Sequence, residues 1–70
     1  MVSYEKLRMI MTKYKIKQYT LRAKTGISIS EAVKINKDEY MTLQSIERIT
    51  KYLSGVLGRK VRVEDILTFY

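Results

Sequence analysis

The chain has 70 residues, 14 Lys and Arg against 7 Asp and Glu, a formal net charge of +7, and no Cys, His, Pro or Trp. Its length points to one domain, residues 1–70, and so short a chain buries only about 60% of its unfolded surface, which leaves a stability margin of a few kcal/mol at most. Without thiols or imidazoles there are no disulfides, Cys or His metal sites, thiolate nucleophiles or imidazole acid–base chemistry, and no carboxylates are paired for catalysis, so an enzyme is not expected.

The first residues, Met1-Val2-Ser3-Tyr4-Glu5, lack the apolar core of a signal peptide, and no stretch approaches the ~20 apolar residues of a membrane span; a cytoplasmic location is expected. Ser3 is placed as an N-cap. Tyr4, Leu7, Ile10, Met11 and Tyr14 then recur at three- and four-residue spacing, which predicts a helix over 4–15 with one apolar face, Met9 lying off the stripe. Ile16 anchors the connection to a second helix that opens at Gln18. Lys24 falls in its last turn, where a cation suits the helix dipole, and Gly26 supplies the left-handed residue that stops it.

Ser28-Ile29-Ser30-Glu31 matches a capping box, with the Ser28 hydroxyl accepting from the Glu31 N–H and the Glu31 carboxylate reaching back to the Ser28 N–H. A third helix over 29–37 follows at once. Ile27 and Ala32 are spaced as a hydrophobic staple, and Leu21, Ile27, Ala32 and Ile35 converge inside the corner. Helices joined by so short a turn must cross steeply, the helix-turn-helix geometry.

Asn36 to Tyr40 is a polar turn. Thr42 caps a fourth helix, in which Leu43, Ile46, Ile49, Leu53, Val56 and Leu57 keep helical spacing up to Gly58, with Gly55 inside it at a cost of ~1 kcal/mol relative to Ala. Basic and β-branched residues alternate over 59–63, which fits an exposed connector or a short edge strand able to pair two copies. A last short helix is expected over 64–70, with Ile66, Leu67 and Phe69. The expected fold is all-α, a compact five-helix bundle with an optional short β segment near 59–63.

The charge is unevenly placed. Lys13, Lys15, Lys17, Arg22, Lys24, Lys34 and Lys37 face the single acid Glu31 within 13–37, whereas bases and acids balance over 38–70. A basic excess confined to the helix-turn-helix is the electrostatic footprint of a polyanion binder. Gly26, Gly55 and Gly58 do not have the spacing of a phosphate-cradling loop, and no cofactor is expected.

Gln18-x-x-Leu21, then Thr25-Gly26-Ile27-Ser28, then Ile35 seven residues after the serine, resembles the helix-turn-helix of the Cro and repressor-like, or xenobiotic-response-element, family. The likeness runs from about Leu7 to Leu53, and Val63-Glu64-Asp65-Ile66-Leu67 is similar to the closing segment of small bacterial and phage members. It implies a lambda-repressor-like DNA-binding fold and a sequence-specific transcriptional regulator, usually a homodimer, with double-stranded DNA as partner. Relative to the family, 54–60 reads as an insertion.

The resemblance places Ile29, Ser30 and Lys34, with Val33 beside them, where relatives contact bases: Lys34 toward guanine O6 and N7, Ser30 toward almost any base, Ile29 and Val33 toward thymine methyls. Lys13, Lys15, Lys17, Gln18, Lys24, Lys37 and Tyr40 are the expected phosphate contacts, Gln18 with the help of the second helix's N-terminal dipole. Two features depart from the family. Arg22 stands where many members have Ala, and Ile29 and Val33 are aliphatic where many carry Gln, Arg or Asn. The aliphatic pair admits a rival from another class, an antirepressor or inhibitor that binds a second protein through the same surface. RNA reading is weaker, because no aromatic lies on the outer face of the third helix.

Overall fold

The computed structural model describes all residues, 1–70. The chain begins with strand β1 (Val2–Ser3) and helix α1 (Glu5–Lys13). Helix α1 starts one residue later than the apolar stripe suggested, because the Tyr4 N–H donates to Asp38 Oδ1 at 2.8 Å and Tyr4 stays outside the helix as its N-cap. Ser3, expected as the cap, accepts only the Glu5 N–H at 3.3 Å. The helix ends early as well. The Ile16 N–H reaches back to Met11 O at 2.8 Å and the Lys15 N–H to Thr12 O at 3.2 Å, the two bonds of a Schellman motif, with Lys15 left-handed at φ 56°. That conformation is usually left to glycine.

Helix α2 (Gln18–Thr25) runs as expected to Gly26, whose φ of 76° ends it with a bond from the Gly26 N–H to Arg22 O at 2.8 Å. The expected third helix is present in two one-turn pieces, α3 (Ile29–Ala32) and α4 (Lys34–Lys37), with Val33 between them still in right-handed helical geometry. The long helix α5 (Leu43–Leu57) has the expected limits: the Thr42 hydroxyl accepts from the Ser45 N–H at 3.2 Å, and Gly58 closes it at φ 70°. Gly55 does not interrupt it, although Leu43 proves to be outside the packed face.

The C-terminal segment corrects the five-helix expectation. In place of a helix over 64–70 there is a single 3-10 turn at Val63–Asp65 followed by strand β2 (Thr68–Phe69). Ile66 and Leu67 are both buried, and β1 offers Thr68 and Phe69 a partner: the two strands pair antiparallel with Val2 opposite Phe69 and Ser3 opposite Thr68. The pairing continues outward, with Tyr70 N–H to Met1 O at 2.9 Å and the Met1 ammonium to Tyr70 O at 2.7 Å. Residues 59–63 are not a strand. Val61 turns inward, its N–H held by the Ser54 hydroxyl at 2.9 Å, and the segment is the connector that the sequence also allowed. The result is a mostly helical molecule with a two-stranded ribbon joining its ends.

A single core gathers Tyr4 and Leu7 from the α1 end, Leu21, Ile27, Ala32 and Ile35 from the corner, Ile46, Ile49 and Leu53 from α5, and Val61, Ile66 and Leu67 from the C-terminal segment. Helix α5 packs against α2 beneath the corner. No helix is long and apolar enough to cross a membrane.

Candidate nucleic-acid interface

The corner is held by a short chain of local bonds. The Thr25 hydroxyl donates to Leu21 O at 2.6 Å and accepts from the Ile27 N–H at 3.4 Å, and Ser28 caps α3 by accepting from the Glu31 N–H at 3.2 Å. Leu21, Ile27, Ala32 and Ile35 are all buried on its inner side, as their spacing predicted. The break at Val33 has a consequence for the carbonyls. The Asn36 N–H bonds to Val33 O at 3.2 Å, and Ala32 O accepts the Gln18 amide at 2.9 Å. Gln18 thus ties the start of α2 to the end of α3, and of the two N–H groups of the amide expected to meet phosphate one is engaged within the corner. Arg8 does the same service one turn later, donating to Ile35 O at 2.6 Å while pairing with Asp38 Oδ1 at 2.8 Å. The Arg8 guanidinium, followed by the Tyr4 N–H, holds the Asp38 carboxyl below the usual range.

Glu31 departs most from its expected part. Only half of the capping box forms, because its carboxylate turns away from Ser28 toward the start of α5: Oε1 accepts from the Thr42 N–H and the Ser45 hydroxyl, each at 2.8 Å, and Oε2 meets Lys34 Nζ at 2.8 Å. Two donors at the positive end of a fifteen-residue helix are a better offer than one N–H across a tight turn. The Lys34 ammonium, then the Thr42 N–H and the Ser45 hydroxyl, bring the Glu31 carboxyl down to about 2, and Glu31 in turn raises the Lys34 ammonium.

Lys34 is therefore neither freely solvated nor buried, its side chain 32% exposed and that of Glu31 13%. Ile29 is 65% exposed and Ser30 is exposed, whereas Val33 is half-buried at the break. These four make one surface across α3 and the start of α4. Of the expected phosphate contacts, Lys15, Lys17 and Gln18 come together with Asn36 along a groove of about 550 Å3 between the end of α1 and α4, floored by Met11 and Ile16 and lined by no carboxylate. Lys37 is exposed on α4. Lys24, at the far end of α2, and Lys13, whose ammonium lies 5.7 Å from the Tyr14 ring, do not line the groove. Tyr40 stacks on Phe69 of the ribbon at 6.4 Å.

Sequence reasoning missed Arg8 and Asn36 beside the groove and Tyr19, whose exposed ring lies 6.0 Å from Lys17 Nζ. Arg8 gave no local signal, since its partners lie 27 and 30 residues away. Nowhere do three potential metal-ligating side chains gather. A family model for the Cro/C1-type HTH DNA-binding domain matches residues 6–70. No curated protein and no solved structure matches the chain.

Proposed function

This chain belongs to the Cro/C1-type HTH DNA-binding family, and from that premise we propose that it is a sequence-specific transcriptional regulator, a repressor, that lays residues 29–37 in the major groove of duplex DNA. The observation that carries the reading is the corner itself: a glycine-ended helix joined through Gly26, Ile27 and Ser28 to a serine-capped segment, with Ile29, Ser30, Val33 and Lys34 on its outer surface and an acid-free cationic groove alongside. Base edges are met by those four residues. Lys15 and Lys17, with the free N–H groups at the start of α2, take the phosphate backbone, and Lys13, Lys24, Lys37 and Tyr40 flank it. One reading segment touches only a few base pairs, so discrimination among many competing sites favours a homodimer on a two-fold related operator.

Selection from random duplexes at physiological salt tests this directly. An enriched palindrome with half-sites about one helical turn (~34 Å) apart is expected, and if ~5 cations meet phosphates, log K falls against log salt with a slope near −4 to −5. No enrichment together with a flat salt response would refute it.

The exposed Ile29 favours one second reading, an antirepressor that binds another protein through the same surface. Ile29→Lys separates the two. It abolishes a protein complex but leaves or increases nonspecific attraction to DNA.

A further inference from the structure

Lys34 is the one cation on the reading surface whose ammonium is fixed in place, and what fixes it is a carboxylate itself fixed from behind. Glu31 is anchored through Oε1 by the Thr42 N–H and the Ser45 hydroxyl, both at 2.8 Å and both belonging to the first turn of α5 or its cap. Ser45 is buried and its hydroxyl also accepts from the Thr42 hydroxyl at 3.1 Å, so the carboxylate has little room to rotate. Oε2 then holds Lys34 Nζ at 2.8 Å, three residues along the same segment. A lysine ammonium on a four-carbon stem normally sweeps a wide volume and meets any phosphate within reach. Here one of its three donors is committed, and the other two are aimed from a defined point.

We infer that Glu31 is a specificity-determining residue: by clamping Lys34 against the start of α5 it withholds that cation from indiscriminate phosphate contact and presents it to one base position. The inference rests on the duplex-DNA reading given above. Glu31 acts through Lys34 and is a positioning residue, not itself a base contact.

The test compares wild type, Glu31→Gln, Lys34→Met and the double variant, each titrated against the selected duplex and a random duplex over a range of salt concentrations. Gln keeps an oxygen for the Thr42 N–H and the Ser45 hydroxyl, so Glu31→Gln releases the lysine without removing the anchor. It steepens the salt slope on random duplex by about 0.9, one further phosphate, and lowers discrimination between the two duplexes at least about threefold. Lys34→Met, which leaves the Glu31 anchor intact, lowers discrimination with the slope unchanged, because a held cation contributes little to phosphate neutralisation. In the double variant the slope returns to that of Lys34→Met. A Glu31→Gln protein with wild-type slope and discrimination overturns the inference, as does a Lys34→Met protein whose slope falls by about one with discrimination intact. Wild-type protein that binds no duplex overturns the DNA reading and this inference together, whereas wild-type binding with an unchanged Glu31→Gln variant sinks only the inference.

Discussion

Replacing Tyr4 with Phe isolates one long-range bond. The ring has 0% exposure within the core, and its hydroxyl accepts the Met41 N–H at 3.0 Å across 37 residues of sequence, fastening the loop before α5 to the start of α1. Phe fills nearly the same volume, so little cavity forms. The cost is the backbone N–H of Met41, itself only 7% exposed, left without a partner. An orphaned buried donor costs about 1–3 kcal/mol, which for a domain of this size lowers the melting temperature by roughly 5–20 °C. Denaturant unfolding followed by circular dichroism measures it, with an unchanged slope against denaturant expected. A loss below about 0.5 kcal/mol would show that Met41 finds another acceptor and that the bond is incidental. The same variant carries a pH signature. Burial raises the Tyr4 phenol above its ordinary 10.0, so its contribution is complete below that pH and is lost as pH rises through the folded value. Wild type should weaken there more than Tyr4→Phe.

Two glycines should respond in opposite directions. At Gly26, with φ 76°, Ala meets only Arg48 Nη1 at 3.5 Å, so the cost is conformational, about 1–2 kcal/mol by thermal unfolding. At Gly55, in the last turn of α5 with nothing within 4 Å of an added Cβ, Ala should stabilise by about 0.5–1 kcal/mol. Acid titration probes the Glu31 clamp. Its folded value of about 2 lies below the ordinary 4.5, so its stabilisation is present above 4.5 and lost as pH falls toward 2. Discounted for the half-exposed lysine partner, that is about 1–2 kcal/mol, absent from the acid unfolding curve of Glu31→Gln. Lys15→Ala should weaken binding to every duplex alike and flatten the salt slope by about 0.9, as checked by titration on selected and random sequences.

The elements written locally in the sequence are the ones it disclosed. Gly26 and Gly58 stop their helices, Ser28 and Thr42 cap theirs, and the stripe of Ile46, Ile49 and Leu53 is buried on α5 as its spacing required. Interactions between distant segments were not legible. Thr68 and Phe69 become a strand only because Val2 and Ser3 arrive beside them from the other end of the chain, and local pattern alone read that segment as helix. The site divides in the same way. Exposed Ile29 and Ser30, and the Lys15 and Lys17 pair, follow from position along the chain. Lys34 does not, because local pattern assigns Glu31 first to its own cap, whereas its carboxylate is anchored at the start of α5, by donors eleven and fourteen residues on.

Lys15 combines two demands that conflict. Its left-handed backbone closes the Schellman motif after α1, while its side chain lends charge to the groove floored by Met11 and Ile16. Glycine would relax the backbone by about 1 kcal/mol and delete the cation. Heat resistance and affinity for a polyanion therefore pull this one position in opposite directions, and a library enriched for thermal survival alone would drift toward robust molecules that grip DNA poorly.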